Sequence, residues 1–285
     1  MGVFFALVTL IGYFASYYYN SPILFVMAVV VSVVMNIGSY WFSDKIALSI
    51  SGARQIEMKD NPELWRTAEN IAITAGLPMP RLYIINDTSP NAFATGRNKN
   101  HAAIAVTTGL LSRLNKVELE GVLAHEFAHI GNRDILLQSV VVVLVGLIQI
   151  FADWVIRISF HSRDNDNKNP VFMILGIILL IFSPIIAMVI QLAISRKREF
   201  LADATGALIT RYPEGLASAL EKISDYHSPM AKVNKATAHM FIATPFGGDA
   251  NGDGVPDKKQ KVSWFTKIFM THPPIEERIK ALLNK

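Results

Sequence analysis

Four apolar stretches organise the chain. Val3 to Tyr19 and Ile23 to Phe42 contain no charged residue, and only Asn20, Ser21 and Pro22 separate them. A helix rises about 1.5 Å per residue, so each run is long enough, or nearly so, to cross roughly 30 Å of hydrocarbon. The first run lacks the basic leader and small-residue cleavage site of a signal peptide, and a second apolar run follows at once. A transmembrane hairpin is therefore expected over residues 1–42. Val140 to Ile158 and Val171 to Ile194 read as a second hairpin over 140–194, joined by the polar loop His161 to Asn169. Asp153 and Arg157 lie four apart and can pair on a helix, at a membrane interface or inside the bundle. Pro184 marks a kink. Two buried core helices are the alternative for this pair.

Between and after the apolar runs the pattern changes to that of a water-facing domain, in two parts, 43–139 and 195–285. Glu63 to Ala75 reads as a helix, with Asn61 as cap, Pro62 at its first position and Gly76 at its end. Arg81 to Asn86 and Ala102 to Thr107 read as short strands, with Asn91 to Thr95 as a third or an edge segment. Asn115 and Glu118 have the spacing of a capping box and start a helix running to about Ile130. The expected fold is mainly α with a small β-sheet: an integral membrane protein with about four transmembrane helices and one water-facing domain split by the second hairpin.

Composition agrees with lipid exposure. Of 285 residues 51% are hydrophobic and only 18% charged, with mean hydropathy +0.33, against about 25% charged in ordinary soluble domains. The net charge of +4 comes from scattered Lys and Arg, with no stripe of the kind that binds nucleic acid. With no cysteine, disulfides and thiolate metal sites are excluded. Lys and Arg close to the second and third apolar runs place residues 43–139 in the cytoplasm by the positive-inside rule.

The capped helix carries His125-Glu126-Phe127-Ala128-His129. Histidines at i and i+4 share one helix face and can reach one zinc ion, while Glu126 stands beside the metal, placed to take a proton from water. Two His and a Glu among Val122, Leu123, Phe127, Ala128 and Ile130 do not suit an ordinary core helix, because unpaired buried polar groups are costly. A catalytic zinc takes a third protein ligand. His101, His161, His227, His239 and His272 are available, but Glu199-Phe-Leu-Ala-Asp203, on a helix continuing from the fourth apolar run, is the better candidate. There Glu199 would bind the metal and Asp203 would accept from a ligand imidazole. A surface acidic pair beside Arg196, Lys197 and Arg198 is the competing reading. An even number of crossings between His129 and Glu199 is consistent with one shared ion.

HEFAH, the EFLAD block, Asn91-Ala-Phe-Ala-Thr-Gly96 and Thr271-His-Pro-Pro-Ile-Glu-Glu-Arg-Ile279 together resemble the HtpX family of membrane-bound zinc endopeptidases, relatives of the CAAX prenyl proteases. The resemblance spans essentially the whole chain. It implies a zincin-type domain with one Zn2+ held by His125, His129 and Glu199, Glu126 as catalytic base and Asp203 in support. It also implies a multi-pass protein of the bacterial inner membrane that acts in quality control of damaged membrane proteins.

Some expectations are more local. Asn91, Ala92, Phe93 and Ala94 form an edge along which an extended substrate can add, with an ordinary turn edge as the alternative. His239 and His272 are candidates to stabilise the oxyanion, against a structural role. Asp249, Asn251, Asp253 and Asp257 have the oxygen spacing of a calcium loop, but Gln260 replaces its bidentate Glu. A polar loop is favoured over a weak Ca2+ or Mg2+ site. A catalytically inactive membrane scaffold or holdase is the rival functional reading. A metal transporter is disfavoured because His125 and His129 precede the third apolar run.

Overall fold

Capping and periodicity account for the local elements. The computed structural model describes residues 2–18, 20–140, 196–226, 228–231, 237, 240–243 and 273–284. The expected hairpin beyond Val140, the 249–257 loop, His161, His227, His239 and His272 lie outside them. Helix α1 spans Gly2–Tyr18, and helix α2 spans Pro22–Ile50, running on past Phe42. The two halves of α2, Pro22–Gly38 and Tyr40–Ile50, meet at 67°. The bend falls at a glycine–serine pair, where helices commonly kink. Among the described residues no single helix is long and apolar enough to cross a membrane, but this bent pair passes by length and composition. Tyr13, Phe14, Ile23, Val26, Val30 and Val34 stay exposed on the pair α1 and α2.

Strand β1 (Arg54–Gln55), helix α3 (Pro62–Ala75) and strands β2 (Arg81–Ile85), β3 (Ala92–Gly96) and β4 (Ala102–Thr107) follow. Asn61 caps α3 by accepting from the Leu64 N–H, and Gly76 closes it at φ 63, where a side chain would be strained. The sheet order is β1-β2-β4-β3, with β2 and β4 parallel and both outer pairs antiparallel. β3 is thus an edge strand.

Side chains alternate across the sheet. Leu82, Ala92, Ala94, Ile104 and Val106 face a core shared with α3 and with α5 (Lys116–Gly131). Tyr83, Ile85, Phe93, Ala103 and Ala105 face the other way, onto Ala47 and Leu48 near the end of α2. Asp44 receives Arg81 at 2.6 Å on that side. Helix α4 (Thr108–Arg113) leads into α5, and α6 (Arg196–Thr210), α7 (Pro213–Ser224) and α8 (Ile275–Leu283) complete the layer around it.

The start of α5 is tied down by its capping box, with the Asn115 side chain accepting from the Glu118 N–H and Glu118 accepting from the Asn115 N–H. Glu118 also accepts from Ser218 (2.7 Å) and Lys222 (2.8 Å) on α7. Burial alone would raise its pKa, but these bonds outweigh it and hold the carboxyl below the usual carboxylate range. A carboxyl with a lowered folded pKa stabilises the fold above its unfolded pKa, and that contribution fades as pH falls through the folded value. Glu118→Gln should therefore cost about 1–2 kcal/mol near neutral pH. The gap to the parent should narrow as the pH falls through the lowered folded pKa of Glu118. Melting curves of both proteins across pH check this, and a gap that widens on acidification would contradict it.

Candidate metal centre

Helix α5 passes through the middle of the core, and every residue from Gly121 to Ile130 is buried. Helix α6 lies against it with Glu199, Ala202, Asp203 and Gly206 turned inward. Contact is close because residue 206 is glycine: a Cβ there would stand 3.0 Å from the His125 amide nitrogen. That approach brings Glu199 onto the histidine pair. His125 Nε2 and His129 Nε2 are 3.1 Å apart, and the Glu199 carboxylate lies 3.8 Å from the first and 3.5 Å from the second.

These three side chains are the group among the described residues whose ligand atoms could hold a metal, all within 4.8 Å of one another and all buried. Tetrahedral zinc with ligands at about 2.0–2.1 Å spaces them by roughly 3.3 Å, close to what is found. Two imidazole nitrogens facing each other across 3.1 Å can share one proton or take one cation between them. His101, the described alternative ligand, is exposed and paired with Asn98.

Each histidine is held from behind. His125 Nδ1 lies 2.9 Å from Asp203 Oδ1, and His129 Nδ1 lies 3.1 Å from Asp134 Oδ2. Each aspartate in turn meets an arginine. Arg198 Nη1 donates to Asp134 (2.6 Å), and Arg278 donates to Asp203 through Nε (2.8 Å) and Nη2 (2.6 Å).

Asp134 and Arg278 are the residues that sequence reasoning missed. Helix α5 ends at Gly131 with Asn132 as its C-cap, Arg133 takes the left-handed conformation at φ 64, and a new helical stretch, 134–140, begins. That reversal aims Asp134 back at His129, and residue spacing alone does not announce it. Arg278 belongs to the Thr271–Ile279 block and is fully buried. The available signal was its apolar company at helical spacing, Ile275, Ile279 and Leu282.

Charged groups crowd the site. Glu126, Asp134, Glu199 and Asp203 are each no more than 2% exposed. Arg198 and Arg278 face Asp134 and Asp203, while Glu126 and Glu199 lie beside the two imidazoles, in a medium where unmatched charge is costly. Burial, with the charge of Glu199 adding to it, pushes Glu126 up to about 7, against His129, Arg278 and the Ala94 N–H that donates to it. Burial works to lower His129, yet Asp134, Glu199 and Glu126 together hold it above the usual histidine range. His125 is held low, first by burial and then by the charges of His129 and Arg278, against Asp203. Asp203 is brought to about 2 in spite of burial, by Arg278 and His125.

The edge strand runs past this group. Phe93 faces away from the site into the α2 side, where its ring meets that of Phe241 at 5.1 Å. Ala92 accepts from the Ile242 N–H (3.0 Å), and the Asn91 amide brackets Ala243 at 3.0 and 3.2 Å. The stretch Met240–Ala243 therefore lies alongside the start of β3.

Comparison with known proteins follows the same lines. The model of peptidase family M48 matches residues 58–285. A protease HtpX homologue from Caldanaerobacter subterraneus subsp. tengcongensis is 46% identical over 280 residues, covering 95% of this chain and 88% of the relative. Another, from Pyrococcus furiosus, is 47% identical over 262 residues, covering 90% and 85%. In fold, the chain is similar to the crystal structure of Ste24p from S. mikatae, with TM-score 0.52 and 18% identity. The match covers 94% of this chain and 60% of that one.

Asp134→Asn removes the carboxylate behind His129. Zinc affinity should fall by about tenfold to a hundredfold, read by competition with a chromogenic chelator. Unchanged affinity would reduce Asp134 to a helix-start residue.

Proposed function

The chain belongs to the HtpX proteases of peptidase family M48, and on that premise we propose that it is a membrane-embedded zinc endopeptidase. Its substrates in this reading are misfolded or damaged membrane proteins, cut at the cytoplasmic face. The observation that carries the reading is the convergence of His125, His129 and Glu199 with Glu126 beside them at the α5–α6 contact.

His125, His129 and Glu199 would hold the zinc. Bound there, zinc supplies Lewis acidity, bringing the pKa of a water molecule from about 15.7 towards 7 and stabilising charge on a carbonyl oxygen. Glu126 is the base. Its raised pKa suits a group that takes a proton from the attacking water and returns it to the departing amine. Asp134 and Asp203 hold the two imidazoles by their Nδ1 atoms, so that both Nε2 atoms face the centre.

An extended substrate adds to β3 by backbone hydrogen bonds, with Asn91, Ala92, Phe93 and Ala94 forming the binding edge. The Ala94 N–H meets the Glu126 carboxylate and the Ala92 carbonyl accepts from the Ile242 N–H, so a substrate pairing here takes the place of the 240–243 segment. A chain laid on this edge passes directly over the base.

The membrane part of the proposal rests on α1 and α2, whose large apolar side chains are exposed along the uncharged runs, and on the continuation of α2 into the sheet. The cytoplasmic orientation rests on the Lys and Arg near the apolar runs.

Purified protein should contain stoichiometric zinc and cleave casein. Glu126→Gln should keep the zinc and lose about 10²–10⁴-fold in cleavage rate. Retained cleavage would overturn the assignment of the base, whereas a parent protein that never cleaves would favour the scaffold or holdase reading. Comparing membrane proteomes of cells carrying the parent and Glu126→Gln identifies the natural substrates.

A further inference from the structure

We infer that Arg278 is a positioning residue of the metal centre: carried in by the C-terminal helix α8, it locks the Asp203 carboxylate so that His125 keeps one tautomer and one ring orientation. The inference rests on the zinc reading above. It starts from the contrast between the two arginines behind the two histidines.

Arg278 grips Asp203 with both prongs of its fork, Nε to Oδ2 at 2.8 Å and Nη2 to Oδ1 at 2.6 Å. Planar two-point pairing of this kind fixes a carboxylate in rotation as well as position. The same Oδ1 faces His125 Nδ1 at 2.9 Å. The aspartate is thus held with one oxygen aimed at that nitrogen, which keeps the proton on Nδ1 and leaves Nε2 to face His129 and Glu199. Further contacts fix the guanidinium itself. Nη1 donates to the Ile242 carbonyl at 3.4 Å and lies 3.7 Å from Glu199, while Nη2 lies against the His125 ring, 3.4 Å from Nε2 and 3.5 Å from Nδ1. One buried side chain therefore touches Asp203, His125 and Glu199, and anchors Ile242 beside the edge strand.

Arg198 does less. It meets Asp134 through a single Nη1 contact of 2.6 Å, and its side chain is 39% exposed. A lysine can make an end-on contact of that kind, but it cannot reproduce the fork at Arg278. The two positions should therefore respond differently to the same conservative change. Helix α8 is held to the core by Ile275, Ile279, Leu282 and Leu283, so the centre reaches its final geometry only once the last helix has docked.

The test uses the full chain in detergent and compares Arg278→Lys, Arg198→Lys and Leu282→Ala. Zinc release to a chromogenic chelator, the visible spectrum of the Co2+-substituted protein and the melting temperature are measured. Arg278→Lys should release zinc about tenfold or more faster and shift the Co2+ bands. Arg198→Lys, which keeps a cation beside Asp134, should change both by less than Arg278→Lys does. Leu282→Ala loosens α8 without touching the centre, so it should lower the melting temperature but leave the release rate alone. Asp203→Asn, which keeps an oxygen for His125 but weakens the grip of Arg278, should also release zinc faster. It serves as the readout if Arg278→Lys fails to fold. Parental release rates in Arg278→Lys or Asp203→Asn would overturn the inference. So would equal release from Arg278→Lys and Leu282→Ala at equal loss of melting temperature. A parent protein that binds no zinc fails the zinc reading first, and the inference with it.

Discussion

Four carboxylates buried between two touching helices set the terms for the rest of this structure. Glu126, Glu199, Asp203 and Asp134 are all sealed from solvent, and charge in such a place persists only where positive charge or donors meet it. The fold meets that demand from distant parts of the chain. Arg198 comes from the start of α6, Arg278 from α8 at the far end of the sequence, and the left-handed residue Arg133 turns the backbone so that Asp134 can serve His129. Gly206 lets α6 approach closely enough for these groups to meet at all. His125, His129 and Glu199 thus converge as a donor set that a divalent cation can complete.

The same arrangement separates the roles of the acids. Asp203 and Asp134 each have a guanidinium and an imidazole as partners, and so serve as fixed anionic supports. Glu199 is pulled onto the two Nε2 atoms. Glu126, on α5 beside both histidines, takes the Ala94 N–H instead, and burial raises its pKa to about 7. A group poised near neutrality can take up and return a proton, which a carboxylate clamped by arginine cannot do easily. Four chemically similar side chains thus acquire distinct electrostatic settings from their neighbours alone.

Much of this was legible in the sequence because it depends on short-range rules. Asn61, Pro62 and Gly76 bound α3 as their types demand, and the Asn115–Glu118 box starts α5. Arg81 to Ile85 and Ala102 to Thr107 are short apolar runs, the first mostly and the second wholly buried, as expected of central strands covered on both faces. The i, i+4 histidines and the inward face of Glu199 and Asp203 also follow from helical period. The missing parts were relations across space. Whether Arg278 lies on the surface or inside depends on the docking of α8, which unites residues 75 apart. The service of Asp134 to His129 depends on a single backbone reversal at Arg133. The extension of α2 beyond Phe42 likewise depends on Ala47 and Leu48 finding the sheet, a contact no local pattern encodes.

That last contact joins the two halves of the molecule. Helix α2 leaves the apolar region, bends at Gly38–Ser39 and ends against the sheet face that carries Phe93, while Ala92 and Ala94 of the same strand face α5 on the opposite side. Only the thickness of β3 therefore separates the helix rooted in the apolar region from the strand edge that reaches Glu126. A strand held on one side by Ala47 and Leu48 and on the other by the catalytic helix cannot shift without moving both. If substrates pair with β3, their position relative to the base is fixed by the same packing that fixes the catalytic core relative to α2. The edge strand is then a coupling between membrane anchor and active site as well as a binding surface. Under the proposed reading, that coupling sets cleavage at segments emerging close to the bilayer.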